Sequence, residues 1–209
     1  MNIFDIHIKN GEIIDGTGAP KFKSDIVIDK GKIIGVFPPE NGDVRDPSEN
    51  HFLSNFSAKN IIDAENKIVS PGFIDVHTHD DDNVFIDPSM SSKISQGVTT
   101  CVAGNCGISL APFSYKGEVP APIALLGKSE AFRFPRVSDY REEFIDKPSS
   151  VNLALLTGHS MLRVEAMNGE FDRAATSKEI SKMVDKLILS LEDGSIGLST
   201  GLAYPAAND

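Results

Sequence analysis

Short runs in which apolar and polar residues alternate fill residues 1–69 of this 209-residue chain. A period of two is typical of strands that bury one face, and a turn dipeptide between two such runs predicts a hairpin. Three pairs of runs follow this plan, with turns at Asn10-Gly11, Lys30-Gly31 and Glu65-Asn66. The pattern predicts a small β-sandwich-like domain over residues 1–69, with a long polar loop between Pro38 and Ser57. His7 lies on the polar side of the first run, so we expect it to be solvated.

The hydrophobic period changes after Ser70, and residues 70–209 form the second predicted domain. Four apolar runs are typical of strands: one ending at His79, and then 98–102, 150–157 and 195–199. The run at 150–157 is nearly continuous in apolar residues, as expected of a strand buried on both faces. A short helix is predicted over 88–96, and segment 111–148 is expected to be an irregular loop-and-helix excursion. Alternating strands and helices predict an α/β fold with a parallel sheet.

The clearest helical pattern begins at Thr176. Thr176 and Glu179 have the spacing of a capping box, in which each side chain satisfies a backbone N–H of the other residue. Apolar residues then recur every three or four positions, at Ile180, Met183, Val184, Leu187, Ile188 and Leu191. Gly194 follows the last of them and is expected to end the helix.

The net charge, the two cysteines and the lack of long apolar runs disfavour several classes of protein. A formal net charge of −10 disfavours nucleic acid or an anionic membrane surface as a partner. Cys101 and Cys106 lie in one segment and do not form a disulfide framework. The chain begins without a basic-then-apolar leader, and no apolar run is long enough to cross a bilayer. We therefore expect a soluble cytoplasmic enzyme that acts on a small molecule.

The stretch PGFIDVHTHDD, residues 71–81, carries the strongest chemical signal. In a strand, side chains two positions apart point to the same face, so His77 and His79 are expected to project together. Two imidazoles on one face, at the end of a buried strand, can hold a single metal ion. The alternative is a half-exposed strand whose histidines merely alternate. The apolar run before the pair and the cysteine loop after it favour a metal-dependent hydrolase.

The sequence Gly104-Asn105-Cys106-Gly107 directly follows the strand predicted at 98–102. Its glycines let the backbone approach a ligand closely and leave Cys106 little apolar packing. Parallel-barrel enzymes place their functional groups at this end of the strands, and a thiolate is a strong zinc ligand. Cys106 is therefore a candidate third ligand, with a free thiol in a tight turn as the alternative. Cys101, inside the strand, is interpreted as a small core residue.

Two further side chains follow predicted strands. His159, in the sequence GHSMLR, is a candidate substrate contact or, equally, a hydrogen-bonded structural histidine. Tyr204, in GLAYP, can donate a hydrogen bond to a substrate oxygen or serve only in packing. The run Asp80-Asp81-Asp82 is interpreted as a solvated loop, and none of its members is singled out as a base.

Together, HTHDD, GNCG, GHSMLR and GLAYP resemble the D-aminoacylase (N-acyl-D-amino-acid deacylase) branch of the amidohydrolase superfamily, over residues 10–209. The resemblance implies a (β/α)₈ TIM-type barrel preceded by a β-sandwich, and zinc-dependent hydrolysis of the amide of an N-acyl-D-amino acid. It assigns His77 and His79 to the metal pair of the first strand and Cys106 to the metal-binding cysteine. It assigns Tyr204 to the substrate pocket, in contact with the amino-acid carboxylate.

The same resemblance places two more zinc histidines in the fifth and sixth strands and the catalytic aspartate in the eighth. No histidine follows His159. Because a full barrel takes about 250 residues, residues 70–209 are expected to hold about four of its eight strands. We therefore expect the N-terminal half of such an enzyme, inactive by itself. Two alternatives stay open: a hydantoinase- or dihydroorotase-type enzyme, which needs a lysine that GLSTGLAYPAAND lacks, and a non-catalytic half-barrel that binds a partner.

Overall fold

A computed structural model describes residues 2–37, 56–115, 119, 121, 123–170 and 172–204 of the chain. The chain divides into two structural units, Met1–Pro71 and Gly72–Asp209. The polar loop predicted between Pro38 and Ser57 lies outside the described residues, except that Phe56 and Ser57 begin a strand. No helix in the described ranges combines the length and the apolarity that crossing a membrane requires.

The first unit is built on one five-stranded sheet, whose strands are β1 (Asn2–Ile13), β2 (Phe22–Asp29), β3 (Lys32–Phe37), β4 (Phe56–Asp63) and β5 (Ile68–Val69). The sheet has the order β3-β2-β1-β4, with β5 paired to the C-terminal end of β1. The first three strands pair antiparallel, and the hairpin predicted at Lys30-Gly31 joins β2 to β3. By contrast, β4 and β5 each pair with β1 in the parallel direction.

Two of the three predicted hairpins are wrong. At Asn10-Gly11 the chain does not reverse: β1 continues, and its register against β2 shifts between Ile8 and Gly11. Asn10 has a positive φ of 62°, a conformation that asparagine tolerates in a bulge as well as in a tight turn. The turn at Glu65-Asn66 exists, but the strands on its two sides pair with β1 instead of with each other.

His7 is buried, so the prediction that it is solvated is wrong. Its Nε2 lies 2.8 Å from Oδ2 of Asp25 on β2, and its ring packs against Phe56. Asp25 also accepts a hydrogen bond from the backbone N–H of Asn10 at 2.8 Å. The polar face of β1 is therefore covered at His7, and the histidine is satisfied by a buried partner on the neighbouring strand.

The second unit contains the parallel strands that the sequence predicted. Its strands are β6 (Phe73–Asp75), β7 (Val98–Ala103), β8 (Phe113–Ser114), β9 (Arg133–Phe134), β10 (Asn152–Leu155), β11 (Thr157–Gly158) and β12 (Leu198–Ser199). A parallel sheet has the order β10-β7-β6, and β11 pairs in parallel with β12. The backbone N–H of Ile196 donates to the carbonyl of Leu155, which links the two pairings. The prediction of an α/β fold with parallel strands is confirmed.

The helices of the second unit are α1 (Asn83–Ile86), α2 (Ser91–Ile94), α3 (Val137–Asp146), α4 (His159–Ala166) and α5 (Ser177–Glu192). The α5 helix confirms the predicted pattern, because Thr176 and Glu179 form the capping box. The helix predicted over 88–96 is shorter, since Met90 takes a left-handed conformation just before α2. The described part of segment 111–148 contains an antiparallel β8–β9 pair, two 3₁₀ turns and α3.

The strands of the second unit are less buried on their two faces than the sequence predicted. Asn152 of β10 is exposed, and Phe73 and Ile74 of β6 are 59% and 61% exposed, so these strands are not covered on both faces. The core lies instead where β7, α1 and α3 meet, around fully buried residues such as Cys101 and Tyr140. Burial on both faces requires packed elements on both sides of a strand, and in β7 Cys101 and Ala103 are buried whereas Val102 between them is only half-buried.

Candidate metal centre

The two histidines of the site follow β6, and do not lie within it as predicted. The strand ends at Asp75, and residues 77–79, the histidine segment, are irregular. Thr78 is buried, and its backbone N–H and hydroxyl both donate to the carbonyl of Val102 on β7, at 3.1 and 3.2 Å. His77 and His79 are exposed on either side of it, with ring centroids 5.8 Å apart. Because Thr78 anchors the segment, the imidazoles stay together beyond the end of the strand.

One lysine holds the chain on both sides of the histidine segment. The Nζ of Lys93 in α2 lies 2.8 Å from Oδ2 of Asp75 and 3.0 Å from Oδ2 of Asp80. Although partial burial opposes it, the hydrogen bonds to these carboxylates raise the pKa of Lys93 to about 12. The same lysine lowers the pKa of Asp75, which also accepts a hydrogen bond from the backbone N–H of His77. The backbone before and after the histidines is therefore held by two ion pairs, which Lys93 forms with Asp75 and with Asp80.

Cys106 lies in the turn after β7, within residues 104–110, which we call the cysteine loop. Gly104, Cys106 and Gly107 have positive φ values of 77°, 56° and 79°. A Cβ on Gly104 would overlap the carbonyl oxygen of Leu156, so this position requires glycine for space as well as for φ. Cys106 has a Cβ and still adopts the left-handed conformation. Such strain persists only where the surrounding structure holds it, and it concentrates at functional sites.

The structure brings His77, His79 and Cys106 together. One nitrogen of each imidazole and the sulfur of Cys106 all lie within 4.8 Å of one another, and Nε2 of His77 is 3.1 Å from that sulfur. Atoms that bind one zinc ion at tetrahedral angles are about 3.3–3.7 Å apart, so small side-chain movements would close the site. Two imidazoles and a thiol suit zinc better than a hard cation such as Mg²⁺. The residues present therefore fit a zinc ion.

The surroundings of His79, Cys101 and Cys106 distinguish the candidate metal ligands, His79 and Cys106, from the core residue Cys101. Desolvation of the ring, and after it the neighbouring His77, lower the pKa of His79, although Asp80 acts in the opposite direction. A lowered pKa favours the neutral imidazole, which is the form that binds metal. Cys101 is fully buried in the core, and burial raises the pKa of its thiol, as expected of a packing residue. Cys106, by contrast, is half-buried and faces the imidazoles.

Asp81 was missed by the sequence interpretation, which placed it in a solvated loop. It is fully buried, with its two carboxyl oxygens each 3.3 Å from a backbone nitrogen, those of Gly104 and Leu110. Burial raises the pKa of Asp81 to about 7, although the two N–H donors act in the opposite direction. The middle member of a run of three aspartates carries no local signal of burial, because it is the packing of the cysteine loop that covers it.

The two predicted substrate contacts lie beside the group of ligands. His159 begins α4, its Nδ1 lies 3.2 Å from Oγ1 of Thr200, and burial lowers its pKa. Tyr204 is half-buried next to the cysteine loop, since a Cβ on Gly201 would overlap both its ring and the carbonyl oxygen of Cys106. His159 directly follows β11, as the sequence predicted, whereas Tyr204 lies in a turn five residues after the end of β12 and does not end that strand. Neither side chain belongs to the three-ligand group.

Comparisons with known proteins give four findings. A sequence model described as "Amidohydrolase family" matches residues 60–207. The D-aminoacylase of Alcaligenes xylosoxydans xylosoxydans is 40% identical over 204 residues, which cover 98% of this chain and 39% of that protein. A crystal structure of D-aminoacylase superposes with a TM-score of 0.85 at 44% identity, covering 97% of this chain and 40% of that chain. The crystal structure of N-acyl-D-glutamate deacylase from Bordetella bronchiseptica, complexed with zinc and a phosphonate inhibitor, superposes with a TM-score of 0.83 at 41% identity. The match covers 96% of this chain and 39% of that chain.

The chain thus spans about two fifths of the length of the relatives that it matches. The family match includes the histidine segment, the cysteine loop, His159 and Tyr204. All the residues that the sequence singled out for chemistry therefore lie in the region shared with that family.

Proposed function

The chain belongs to the amidohydrolase family, and from this premise we propose that the natural protein containing it is a zinc-dependent deacylase. Its reaction is the hydrolysis of the amide bond of an N-acyl-D-amino acid to a D-amino acid and a carboxylate. The observation that carries the proposal is the convergence of His77, His79 and Cys106 after neighbouring parallel strands. The names of the D-aminoacylase and N-acyl-D-glutamate deacylase relatives support the substrate class.

The proposal includes a finer architecture. The second domain, proposed over residues 70–209, supplies about the first four strands of a (β/α)₈ TIM-type barrel, and residues 1–69 belong to a β-sandwich-like domain. The parallel pairing of β6, β7 and β10 supports the barrel, as does the position of all three ligands after strand ends. In such barrels the active site lies at the C-terminal end of the strands, where the loops that follow them meet.

Three side chains would hold the zinc ion. His77 and His79 would contribute imidazole nitrogens and Cys106 a thiolate, each from a backbone anchored by hydrogen bonds to a neighbouring element. When bound, zinc lowers the pKa of a water molecule and polarises the acyl carbonyl group. The fixed backbone means that little conformational freedom is lost when the ligands close on the ion.

The remaining site residues are proposed to bind substrate. The hydroxyl of Tyr204 would donate a hydrogen bond to the amino-acid carboxylate, next to the loop that carries Cys106. The imidazole of His159, whose pKa is lowered by burial, would offer a neutral hydrogen-bonding group at the adjacent strand end. No residue of this chain is assigned as the general base, because the resemblance places that aspartate in a later strand.

We further propose a small-molecule substrate, no nucleic-acid or membrane partner, and a cytoplasmic location. The net charge of −10 supports the second of these statements, because phosphate backbones and anionic lipids repel an acidic protein.

The natural protein containing this chain tests the proposal directly. Zinc is quantified after dialysis, and amine release is measured with N-acetyl-D-amino acids and with their L enantiomers. We expect turnover of the D substrates, its loss on chelation and its return with added zinc. His77→Ala should remove both bound zinc and turnover.

Other outcomes would point to the alternatives. Turnover of hydantoins or dihydroorotate, with none of N-acyl-D-amino acids, would indicate a cyclic amidohydrolase. A protein that binds no zinc, or binds it equally well after His77→Ala, would be a non-catalytic binding module.

A further inference from the structure

We propose that Asp81 is a positioning residue of the metal centre, which ties the cysteine loop to the histidine segment and so places Cys106 opposite the imidazoles. This inference rests on the proposed function, because it assumes that His77, His79 and Cys106 bind one metal ion. Asp81 itself is no ligand in this proposal. Its oxygens face backbone amides, and it lies outside the group whose ligand atoms are within 4.8 Å of one another.

The carboxyl group of Asp81 contacts both ends of the cysteine loop. Oδ2 accepts a hydrogen bond from the backbone N–H of Gly104, and Oδ1 accepts one from that of Leu110, each at 3.3 Å. Cys106 lies between these two points. Since Asp81 is only two positions after His79, one side chain links the backbone that carries the histidines to the backbone on both sides of the cysteine.

Asp81 is itself held in place by α3. The hydroxyl of Tyr140, a residue fully buried in the core, donates a hydrogen bond of 2.6 Å to the backbone carbonyl of Asp81. The aspartate is therefore fixed on one side by the core and on the other by the loop. Asp81 therefore fixes the distance between the core and the cysteine loop, because it is hydrogen-bonded to both.

The cysteine loop needs such support. Cys106 is held at a φ of 56°, a conformation that a residue with a Cβ disfavours, so the position of the loop depends on contacts that restrain its backbone. Asn105 provides a second link, with Nδ2 donating to the carbonyls of Val102 at 2.8 Å and Thr78 at 3.3 Å. That link fixes one end of the loop, whereas the carboxyl group of Asp81 fixes both.

Three variants test the role of Asp81. Asp81→Ala removes both acceptors, and Asp81→Asn keeps the volume but presents an N–H donor to one of the two amides. Asp82→Asn is the matched control, since its carboxyl group lies 3.8 Å from Arg133 and forms no hydrogen bond with the cysteine loop among the described residues. All three are made in the natural protein containing this chain, and folding is checked by circular dichroism.

Three measurements are made on each variant. Zinc affinity is measured by competition with a chromophoric chelator. The thiolate-to-metal absorption band is recorded after saturation with Co²⁺, because it reports directly on the bond to Cys106. The rate at which Cys106 is alkylated is measured without metal and assigned by mass spectrometry, since Cys101 is fully buried.

We expect Asp81→Ala to weaken zinc binding by about 10- to 100-fold, as is usual for residues that orient metal ligands. The cobalt–thiolate band should weaken at saturation, and alkylation of Cys106 should become several-fold faster. Asp81→Asn should fall between Asp81→Ala and the parent protein, and Asp82→Asn should match the parent.

The proposal is overturned if folded Asp81→Ala and Asp81→Asn keep the affinity, the band and the alkylation rate of Asp82→Asn. It is also overturned if neither Asp81 variant folds with zinc present, since the residue then supports the fold as a whole. A parent protein that binds no zinc would instead contradict the proposed function. Alkylation, which needs no metal, would still show whether Asp81 restrains Cys106.

Discussion

The Nε2 atom of His77 lies 3.1 Å from the sulfur of Cys106, although the two residues are 29 positions apart in the chain. The histidine follows β6 and the cysteine follows β7, and these strands pair in parallel with Asp75 opposite Cys101. Parallel neighbours end at the same edge of a sheet, so the residues that follow them are brought together. The pairing of β6 with β7 therefore brings the candidate ligands together. Four predictions concern the residues that hold this site and the second unit in place.

The first prediction separates a metal ligand from a core residue. In the natural protein containing this chain, Cys106→Ala should remove bound zinc and activity while the fold persists, because the half-buried thiol packs little apolar surface. Cys101→Ala, in the core, should lower the free energy of unfolding by about 1 kcal/mol and leave zinc content unchanged. Metal analysis and thermal melting measure the two effects separately. Retention of zinc by Cys106→Ala would show that the thiol is no ligand.

The second prediction concerns the backbone of the cysteine loop. Gly104→Ala should lower the free energy of unfolding by roughly 3 kcal/mol or more, because the new Cβ overlaps the carbonyl of Leu156 at a φ of 77°. Gly169→Ala is the control, since its φ is 83° but nothing lies within 4 Å of the added atom. Gly169→Ala should lower the free energy of unfolding by about 1–2 kcal/mol, because only the unfavourable φ contributes. Equal losses in urea unfolding would mean that the close approach to Leu156 is unimportant.

The third prediction addresses the lysine that holds the histidine segment. Lys93→Met leaves Asp75 and Asp80 without their shared cation, and we expect the free energy of unfolding to fall by about 1–3 kcal/mol. Zinc affinity should fall as well, because both ends of the segment are released. Lys147→Met removes an exposed ion pair of 3.7 Å and should cost about 0.5 kcal/mol or less. The hypothesis fails if the two variants unfold at the same denaturant concentration.

The fourth prediction is a pH dependence that arises from the start of α5. Hydrogen bonds from Arg173, and then from Thr176, lower the pKa of Glu179 well below its usual range. A lowered pKa in the folded state stabilises the protein above the usual glutamate pKa, and this stabilisation is lost as the pH falls below about 4.5. Glu179→Gln should therefore be less stable than the parent at pH 7, with a smaller difference at pH 3.

Melting temperatures between pH 3 and pH 7 check this prediction, with Asp185→Asn as the control. That aspartate is exposed in the middle of the same helix, so its replacement removes one negative charge without affecting the capping box. A difference between Glu179→Gln and the parent that is constant with pH would argue against the linkage.

Local chemistry determined several features of this protein, and these could be predicted from the sequence. The turn at Lys30-Gly31 and the capping box of α5 depend on residues close together in the chain, and both are present as predicted. The histidine and cysteine motifs identified the candidate ligands for the same reason, because each motif follows an apolar run directly. The resemblance to D-aminoacylases that these motifs carry is confirmed by the relatives.

Only the tertiary structure decided which side chains are covered and which strands pair. Asn10 has a left-handed φ that fits a hairpin or a bulge, and pairing with β2 selects the bulge. His7 and Asp81 were both expected in solvent, yet each is buried against residues at least 18 positions away in sequence. Burial depends on what packs over a residue. Long-range packing of this kind leaves no trace in the period or the turn chemistry of the segment that it covers.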